Sequence, residues 1–418
     1  MEMPTKKQNS GDDFGFSDLS DEVFHRILNF IEMRDVARLS VVSKRCRELC
    51  ISNPRLYLSN ISSKSGGPRF NSYVDRFMAL RCVHGVKTER FVLRWSFEGS
   101  VDQDEEYRVE TWLQNAVNLG GVTEVRLKFF LPGPQHFALP LCVLRCNSLT
   151  FLNIDGGNTL LKLPSAPPYF ATKLQRLHLH HVGIKNDFNL GELLSCFMSL
   201  KVLKLDNICG MKGMTITNSS IEILSITSVD RQLCDVEIQQ LHKLYDLKLV
   251  WIPKSSSRTS LKISAPNLQR FQWAGITVDD YSMRDSADLL HAIIQLPAHS
   301  RGNHNLVKIL QSVQKARHLE LYDCFVEVKN SMPSREFPFK MGYWQSQNFI
   351  FTHQLKKVVV QLFDTENEIE LIKYLLTNAQ ELELMLILYT SPVSSDIITE
   401  LRKLKKPSTN LSLHSIIR

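Results

Sequence analysis

The sequence lacks the apolar runs and the paired cysteines of membrane and secreted proteins. No apolar stretch in its 418 residues approaches the roughly eighteen residues that span a bilayer. The nine cysteines include no CxxC pair, and residues 1–13 are polar, without the apolar core of a secretory signal. We therefore expect free thiols, no membrane partner and a reducing compartment, the cytoplasm or the nucleus.

Recognisable catalytic signatures are also missing. There is no GxSxG motif, no Walker-type glycine loop, no dinucleotide-binding fingerprint and no HExxH motif. The best metal candidate is His178-Leu179-His180-His181, yet two histidines on one strand seldom hold zinc without a third ligand. We predict no catalytic residue, no metal and no cofactor, so the chain is expected to be a binding protein and not an enzyme.

The charge of the chain is modest and dispersed. The formal net charge is +7, and charged residues make up 22% of the sequence. The densest basic clusters, Lys44–Arg47 and Arg402–Lys406, contain no interleaved aromatic residues. This pattern favours solvated helix faces over a nucleic-acid-binding surface.

The first organised segment runs from Leu19 to about Asn60 and predicts three short helices. Ser20 is a good N-cap for the first helix, and a stripe of apolar residues follows it: Leu19, Val23, Phe24, Ile27, Leu28 and Ile31. A second helix is predicted after Asp35 and a third after Ser43, which ends before Asn53-Pro54. These helices are expected to bury Val36, Leu39, Val42, Cys46, Leu49 and Cys50. The wide stripe on the first helix indicates either a surface for another protein or an N-terminal cap on a larger domain.

This segment resembles an F-box, the module by which substrate receptors dock onto the Skp-type adaptor of cullin–RING ubiquitin ligases. The matching residues are Leu19-Ser20-Asp21-Glu22, Ile27-Leu28, Asp35 and Val41-Val42-Ser43-Lys44-Arg45-Cys46. The family usually has proline at the position of Ser20 and tryptophan at that of Cys46. The resemblance implies a Skp-type adaptor, and through it a cullin, as partners. The implied adaptor-binding residues are Leu19, Ser20, Glu22, Val23, Ile27, Leu28, Ile31, Leu39 and Val42.

Beyond the helical segment, one short pattern of apolar residues returns ten times from Val122 onward. Its first occurrence is Val122/Val125/Leu127 and its last is Leu382/Met385/Ile387. The first residues of successive occurrences are mostly 21 to 27 positions apart, and the one step of 48 equals two periods of 24. Such steps are typical of leucine-rich repeats, each with one short strand. An α/β domain with evenly spaced strands is the alternative. The asparagine that regular leucine-rich repeats place after the strand is absent, which predicts an irregular solenoid.

Other segments are assigned by their spacing and composition. Helices are predicted over Tyr73–Arg81, Val109–Val117, Leu190–Phe197, Leu289–Ile294 and Leu306–Val313, the last three on the convex side of the solenoid. Loops are predicted at Asp102–Glu106 and Pro297–Asn305, and a flexible joint at Ser62–Pro68.

The segment from His353 to Ile417 resembles the FBD domain that ends many plant F-box/leucine-rich-repeat proteins. Tyr73-Val74-Asp75-Arg76 and Ser264-Ala265-Pro266-Asn267-Leu268 resemble phrases of the same family. The resemblance implies a plant origin. Physically, the segment is expected to be a strand–helix–strand unit that closes the end of the solenoid.

Together these features predict an α/β chain of five parts. A disordered leader (1–16) precedes the F-box (17–60), a linker and N-terminal cap (61–120), the leucine-rich repeats (121–340) and an FBD-like domain (341–418). The function expected is the substrate-recognition subunit of a Skp–cullin–F-box ubiquitin ligase. The alternative is a binding scaffold outside any ligase with a degenerate F-box. An unknown target protein is expected to meet residues on the concave face, namely His178, His180, Lys204, Asp206, Lys248 and Val250.

Overall fold

The structure, a computed structural model, describes most of the chain between residues 19 and 415. The described ranges are 19–61, 68–97, 103–130, 136–138, 141–162, 172–184, 190–228, 232–252, 258–275, 278–283, 289–296, 303–323, 341–347, 349, 353–362, 366–389, 395–404 and 406–415. The predicted leader and residues 62–67 of the predicted joint lie outside these ranges. The chain divides into two compact units. We call residues 1–135 and 139–152 unit 1, and residues 136–138 and 153–418 unit 2.

Unit 1 combines helices with three parallel strands that pair in chain order. Its helices are α1 (Asp21–Leu28), α2 (Met33–Leu39), α3 (Lys44–Ser52), α4 (Pro68–Val83), α5 (Gln103–Asn118) and α6 (Leu141–Leu144). Its strands are β1 (Arg55–Ser59), β2 (Arg90–Ser96) and β3 (Glu124–Phe130). Helix α3 packs against α1, α2 and α4, and α4 packs against α5. The predicted helices at Tyr73–Arg81 and Val109–Val117 are confirmed as parts of α4 and α5.

The predicted acidic loop at Asp102–Glu106 is wrong, because Asp104, Glu105 and Glu106 form the first turn of α5. Negative charge is favoured at the N-terminal end of a helix, where backbone N–H groups lack partners. Glu105 also accepts a hydrogen bond of 2.7 Å from the indole nitrogen of Trp95, a ring buried in the core of unit 1.

Unit 2 is dominated by a parallel sheet whose strands pair in chain order. The sheet contains β5 (Phe151–Lys162), which begins in unit 1, β6 (Arg176–Gly183), β7 (Val202–Asp206), β9 (Ile223–Ser228), β11 (Asp246–Trp251), β13 (Arg270–Gly275), β15 (His291–Leu296), β16 (His318–Asp323), β17 (Lys357–Leu362), β18 (Leu384–Tyr389) and β19 (Asn410–Ser415), with β4 (His136–Ala138) paired to β5. The helices are α7 (Leu190–Ser195), α8 (Asn303–Ser312), α9 (Met341–Ser346), α10 (Glu366–Asn378) and α11 (Ser395–Leu404).

All ten occurrences of the apolar pattern fall on strands of the structure, and the mixed α/β class is confirmed. The first apolar residue of each occurrence is buried just before its strand, and the next two point into the core, with only Leu321 half-buried. The predicted strand–helix–strand near the C-terminal end corresponds to β17, α10 and β18, which α11 and β19 follow.

The predicted helix at Leu289–Ile294 is wrong, because this segment contains strand β15. Leu289, Ala292 and Ile294 are buried and repeat the apolar pattern with alanine at its middle position. The step of 48 residues therefore holds one further repeat. The predicted helices at Leu190–Phe197 and Leu306–Val313 are confirmed as α7 and α8, and Asn303–Asn305 of the predicted loop belong to α8.

A second parallel sheet lies in the middle of unit 2, in the connections between strands of the main sheet. It comprises β8 (Gly213–Ile216), β10 (Asp235–Ile238), β12 (Ser260–Ile263) and β14 (Asp280–Met283), in the order β14-β12-β10-β8. Alternate residues of these strands are buried, for instance Met214 and Ile216. Each strand occupies a short connection between strands of the main sheet, which leaves little room for a helix of several turns.

Candidate protein-binding surfaces

The helical module α1–α3 of unit 1 is built around a small filled core. Phe24, Leu28, Met33, Leu49 and Cys50 are almost entirely buried. Helix α1 is capped by the side chain of its predicted N-cap, Ser20, which accepts a hydrogen bond of 3.4 Å from the N–H of Val23. Helix α3 is capped in the same way, with a shorter hydrogen bond of 3.0 Å to its N-cap serine.

Four large apolar side chains of this module are exposed although its core is filled. Val23 is 43% exposed, Val42 70%, Val41 74% and Phe30 89%. We call these four residues the exposed apolar set. Leu19, Ile27, Ile31 and Leu39 are half-buried. Large apolar side chains left in water within so short a segment are candidate contacts for another protein.

The structure separates the predicted adaptor-binding residues into exposed and buried positions. Leu28 is only 3% exposed, so it stabilises the core of the module and is not available to a partner. Ser20 is occupied as the N-cap of α1, and Glu22 is exposed and forms an ion pair of 3.0 Å with Arg26. Leu28 is therefore removed from the candidate docking residues.

The predicted second helix was misplaced, and this changes the position of Val42. Helix α2 begins at Met33, two residues before Asp35, and ends at Leu39. Val42 was expected to be buried, but it lies with Val41 in the turn between α2 and α3. Phe30 and Val41 were missed as candidate contacts, since Phe30 falls after the end of α1 and off its apolar stripe.

The two N-caps give a test of how the module is stabilised. Replacing Ser43 with alanine removes the short hydrogen bond to the N–H of Cys46 and is expected to lower the free energy of unfolding by about 1 kcal/mol. Ser20→Ala is the matched control, and its longer bond predicts a smaller loss. Thermal denaturation of both variants measures the difference. A larger loss for Ser20→Ala would contradict this prediction.

A buried arginine joins the end of the helical module to α4. Arg81 donates hydrogen bonds to the carbonyl oxygen of Ile51, to that of Asn53 at 2.7 Å and to the hydroxyl of Thr88 at 3.2 Å. Only 2% of Arg81 is exposed. Burial lowers the pKa of its guanidinium to about 10, so the group stays protonated at neutral pH.

The six predicted target-binding residues lie on three strands of the main sheet of unit 2. His178 on β6 is in register with Lys204 on β7, and His180 is in register with Asp206. Lys248 and Val250 lie on β11, which is separated from β7 by β9. Their neighbours in the strands, such as Leu179 and Leu205, are buried, so the six residues share the face of the sheet opposite the core.

Polar contacts already connect several side chains on this face. His180 Nδ1 lies 3.3 Å from a carboxylate oxygen of Asp206, and His181 Nδ1 lies 3.1 Å from one of Asp155. Lys204 and Lys248 are exposed. Within the described ranges, no three histidine, cysteine, aspartate or glutamate side chains are grouped so that they could hold a metal ion.

None of the eight cysteines among the described residues forms a disulfide bond. In the part of the chain that the structure describes, no helix is both long enough and apolar enough to span a bilayer.

The helical module α1–α3 and the six predicted target-binding residues both fall within segments that match known families. An F-box domain model matches residues 16–58, which include α1–α3. A model described as "FBD-associated F-box protein At5g56370, LRR repeats" matches residues 109–287. The chain therefore has an F-box and leucine-rich repeats.

Curated relatives from Arabidopsis thaliana agree with the two domain matches. The F-box/FBD/LRR-repeat protein At5g56420 is 28% identical over 213 residues, which cover 50% of this chain and 48% of that protein. The F-box/LRR-repeat protein At3g62440 is 28% identical over 229 residues, with the same coverage of 50% and 48%. The putative F-box/FBD/LRR-repeat protein At4g03220 is 26% identical over 268 residues, which cover 62% of this chain and 51% of that protein. The chain thus spans about half the length of these relatives, and it resembles plant F-box/FBD/LRR-repeat proteins.

Proposed function

We propose that this chain, which combines an F-box with leucine-rich repeats, is the substrate-recognition subunit of a Skp–cullin–F-box ubiquitin ligase. In this proposal helices α1–α3 bind a Skp-type adaptor, which connects the chain to a cullin. The repeats of unit 2 bind a target protein. The chain performs no bond-making itself and raises the effective concentration of the target near the catalytic subunits.

The exposed apolar set carries this proposal. Its four side chains lie between residues 23 and 42, inside the segment that matches the F-box model. Burying such side chains is worth about 1.5 to 3 kcal/mol each, so a partner that covers them gains substantial affinity. The half-buried residues Leu19, Ile27, Ile31 and Leu39 extend the apolar surface that an adaptor can cover.

The proposal divides the chain into an F-box, leucine-rich repeats and an FBD-like unit, and the domain matches to residues 16–58 and 109–287 support the first two. The F-box is assigned to residues 17–60, the repeats to 121–340 and an FBD-like unit to 341–418. The stacked parallel strands of unit 2 support a solenoid of repeats, since each strand pairs with that of the next repeat. The face that carries His178, Lys204 and Lys248 is the proposed target-binding face.

Titration with a purified Skp-type adaptor tests the proposed function. The full chain is expected to form a one-to-one complex that persists through size-exclusion chromatography, and the complex is expected to recruit a cullin. Isothermal titration calorimetry gives the dissociation constant and a negative heat-capacity change, because apolar surface is buried. Failure to bind any Skp-type adaptor tested, with partner binding through the repeats retained, would favour a scaffold outside any ligase.

A further inference from the structure

A row of cationic and imidazole side chains crosses the main sheet of unit 2 on the face opposite the core, which we call the outward face. Arg270, His291, His318 and Lys357 occupy matching register positions on the neighbouring strands β13, β15, β16 and β17. Adjacent strands lie about 4.8 Å apart, so the row extends over about 14 Å. We call these four residues the basic row. It lies beyond the six residues that the sequence pattern had assigned to target binding.

Only part of the basic row is neutralised by the protein itself. Arg270 forms an ion pair of 3.1 Å with Asp246, and His291 Nε2 lies 2.9 Å from one carboxylate oxygen of Glu320. The other oxygen of Glu320 accepts a hydrogen bond of 2.7 Å from the hydroxyl of Tyr322. Both oxygens of this carboxylate are therefore already in use.

His318 and Lys357 have no such partner: neither forms an ion pair with any residue in the described ranges. The two residues are in register on adjacent strands, and the ring of His318 lies 6.0 Å from that of His291. Burial, and then the charges of Lys357 and His291, lower the pKa of His318, against smaller opposing effects of Glu383 and Glu320. Burial and the neighbouring cations thus disfavour a positive charge on His318, and an incoming anion would oppose this effect.

Aliphatic side chains lie beside the basic row on the same face. Ile293, Val359 and Leu386 occupy one register row, which also contains Glu320, and Leu384 and Leu388 flank Leu386 on β18. All five aliphatic side chains are half-buried, and we call them the aliphatic strip. On β18 the core residues Met385 and Ile387 are buried, so both faces of this strand are apolar. A strand apolar on both faces is typical of one that is covered on both sides.

We propose that the basic row and the aliphatic strip bind an acidic peptide segment of the target protein. Carboxylates of the segment would meet His318 and Lys357, and its aliphatic side chains would cover Val359 and Leu386. This inference rests on the proposed function in one respect, that the outward face of the repeats receives the target. It assigns the contact to β15–β18 and gives the chemistry of the bound segment.

The proposal predicts that binding strengthens as the pH falls. An anion beside His318 favours the protonated imidazole, whereas in the free chain burial and the neighbouring cations disfavour it. Binding therefore takes up a proton, and the affinity is expected to rise between pH 8 and pH 6.

Fluorescence anisotropy with a labelled nonapeptide of Glu-Leu-Glu repeats tests the proposal on the full chain. This peptide should bind more tightly than its Gln-Leu-Gln counterpart. The double variant His318→Gln/Lys357→Gln should bind it about tenfold more weakly and lose the pH dependence. The matched control is His242→Gln/Lys262→Gln, which removes an exposed histidine from the turn before β11 and an exposed lysine from β12 of the second sheet and should bind as the parent chain does.

Equal affinities for the two peptides would overturn the inference, as would an equal loss of affinity in the control variant. Adaptor titration of the same variants separates this result from the proposed function. If the adaptor binds and the acidic peptide does not, only the inference fails. If the peptide binds with the expected preference and the adaptor does not, the acidic-segment site stands and the ligase role fails.

Discussion

Replacing Val41 and Val42 together with aspartate is expected to weaken binding of a Skp-type adaptor by at least about a hundredfold. The two valines are 74% and 70% exposed, so their substitution costs the free chain little. In the complex they would be buried, and burial of two valine side chains is worth about 3 kcal/mol or more. A carboxylate in their place must also lose its hydration. A hundredfold change corresponds to about 2.7 kcal/mol, which calorimetry resolves easily.

A matched control for this prediction lies in the same unit. Val83, the last residue of α4, is 81% exposed, and Val83→Asp makes the same change of side chain outside the helical module. This variant should bind the adaptor as the parent chain does. Both variants should keep the circular dichroism spectrum and melting temperature of the parent. Parental affinity in the Val41→Asp/Val42→Asp chain would refute the assignment of the docking surface.

Leu28→Asp would not be a clean probe of the same surface. Leu28 is buried with Phe24 and Cys50, so a carboxylate there is expected to unfold the helical module. Loss of adaptor binding would then report the loss of the fold. The F-box resemblance implied adaptor binding for both Leu28 and Val42. The exposure of Val42 depends on where α2 ends and α3 begins, and local sequence determines such helix ends poorly.

The repeat strands could be predicted because each of them satisfies a local and strict requirement. Two alternating apolar residues must face the core, and a third must fill the turn before the strand. β1 and β2 bury Leu56, Leu58, Phe91 and Leu93 in the same way, but the turn before each strand holds a buried polar residue, Asn53 or Thr88, so the apolar pattern did not predict them. Paired residues on β1, β2 and β3 are 35 and 34 positions apart, as in Arg55, Arg90 and Glu124. The 16-residue helices α4 and α5 lengthen these units beyond the usual repeat period.

The second sheet and the basic row could not be predicted from sequence for a different reason. Strands β8, β10, β12 and β14 have four residues each, which is too short for alternation to be distinguished from chance. The members of the basic row are about 20 to 40 residues apart in sequence. Only the register of the parallel strands brings His318 beside Lys357. The six residues chosen from the sequence do share one face, but no sequence pattern marks which part of that face is short of counter-charges.

Replacing Arg81 with leucine is expected to lower the free energy of unfolding of unit 1 by about 3 kcal/mol or more. The substitution leaves the carbonyl oxygens of Ile51 and Asn53 and the hydroxyl of Thr88 without their buried donor. Each unsatisfied buried polar group costs about 1 to 3 kcal/mol. Leucine fills part of the space but donates no hydrogen bond. Chemical denaturation monitored by tryptophan fluorescence measures the change, because Trp95 and Trp112 are buried in this unit.

Arg76→Leu is the control, since Arg76 is exposed on the same helix and should change stability by less than about 0.5 kcal/mol. The two variants also test whether the helical module depends on α4. Arg81 bonds to backbone at the end of α3 and just before β1, so its loss should loosen the module where it joins the rest of unit 1. Hydrogen exchange should then increase in α3 and in α1, which packs on it. Adaptor affinity should fall in Arg81→Leu and not in Arg76→Leu, because a loosened module must be ordered before it can bind. Parental exchange rates in α1 and α3 of Arg81→Leu would show that the module is stable without this arginine.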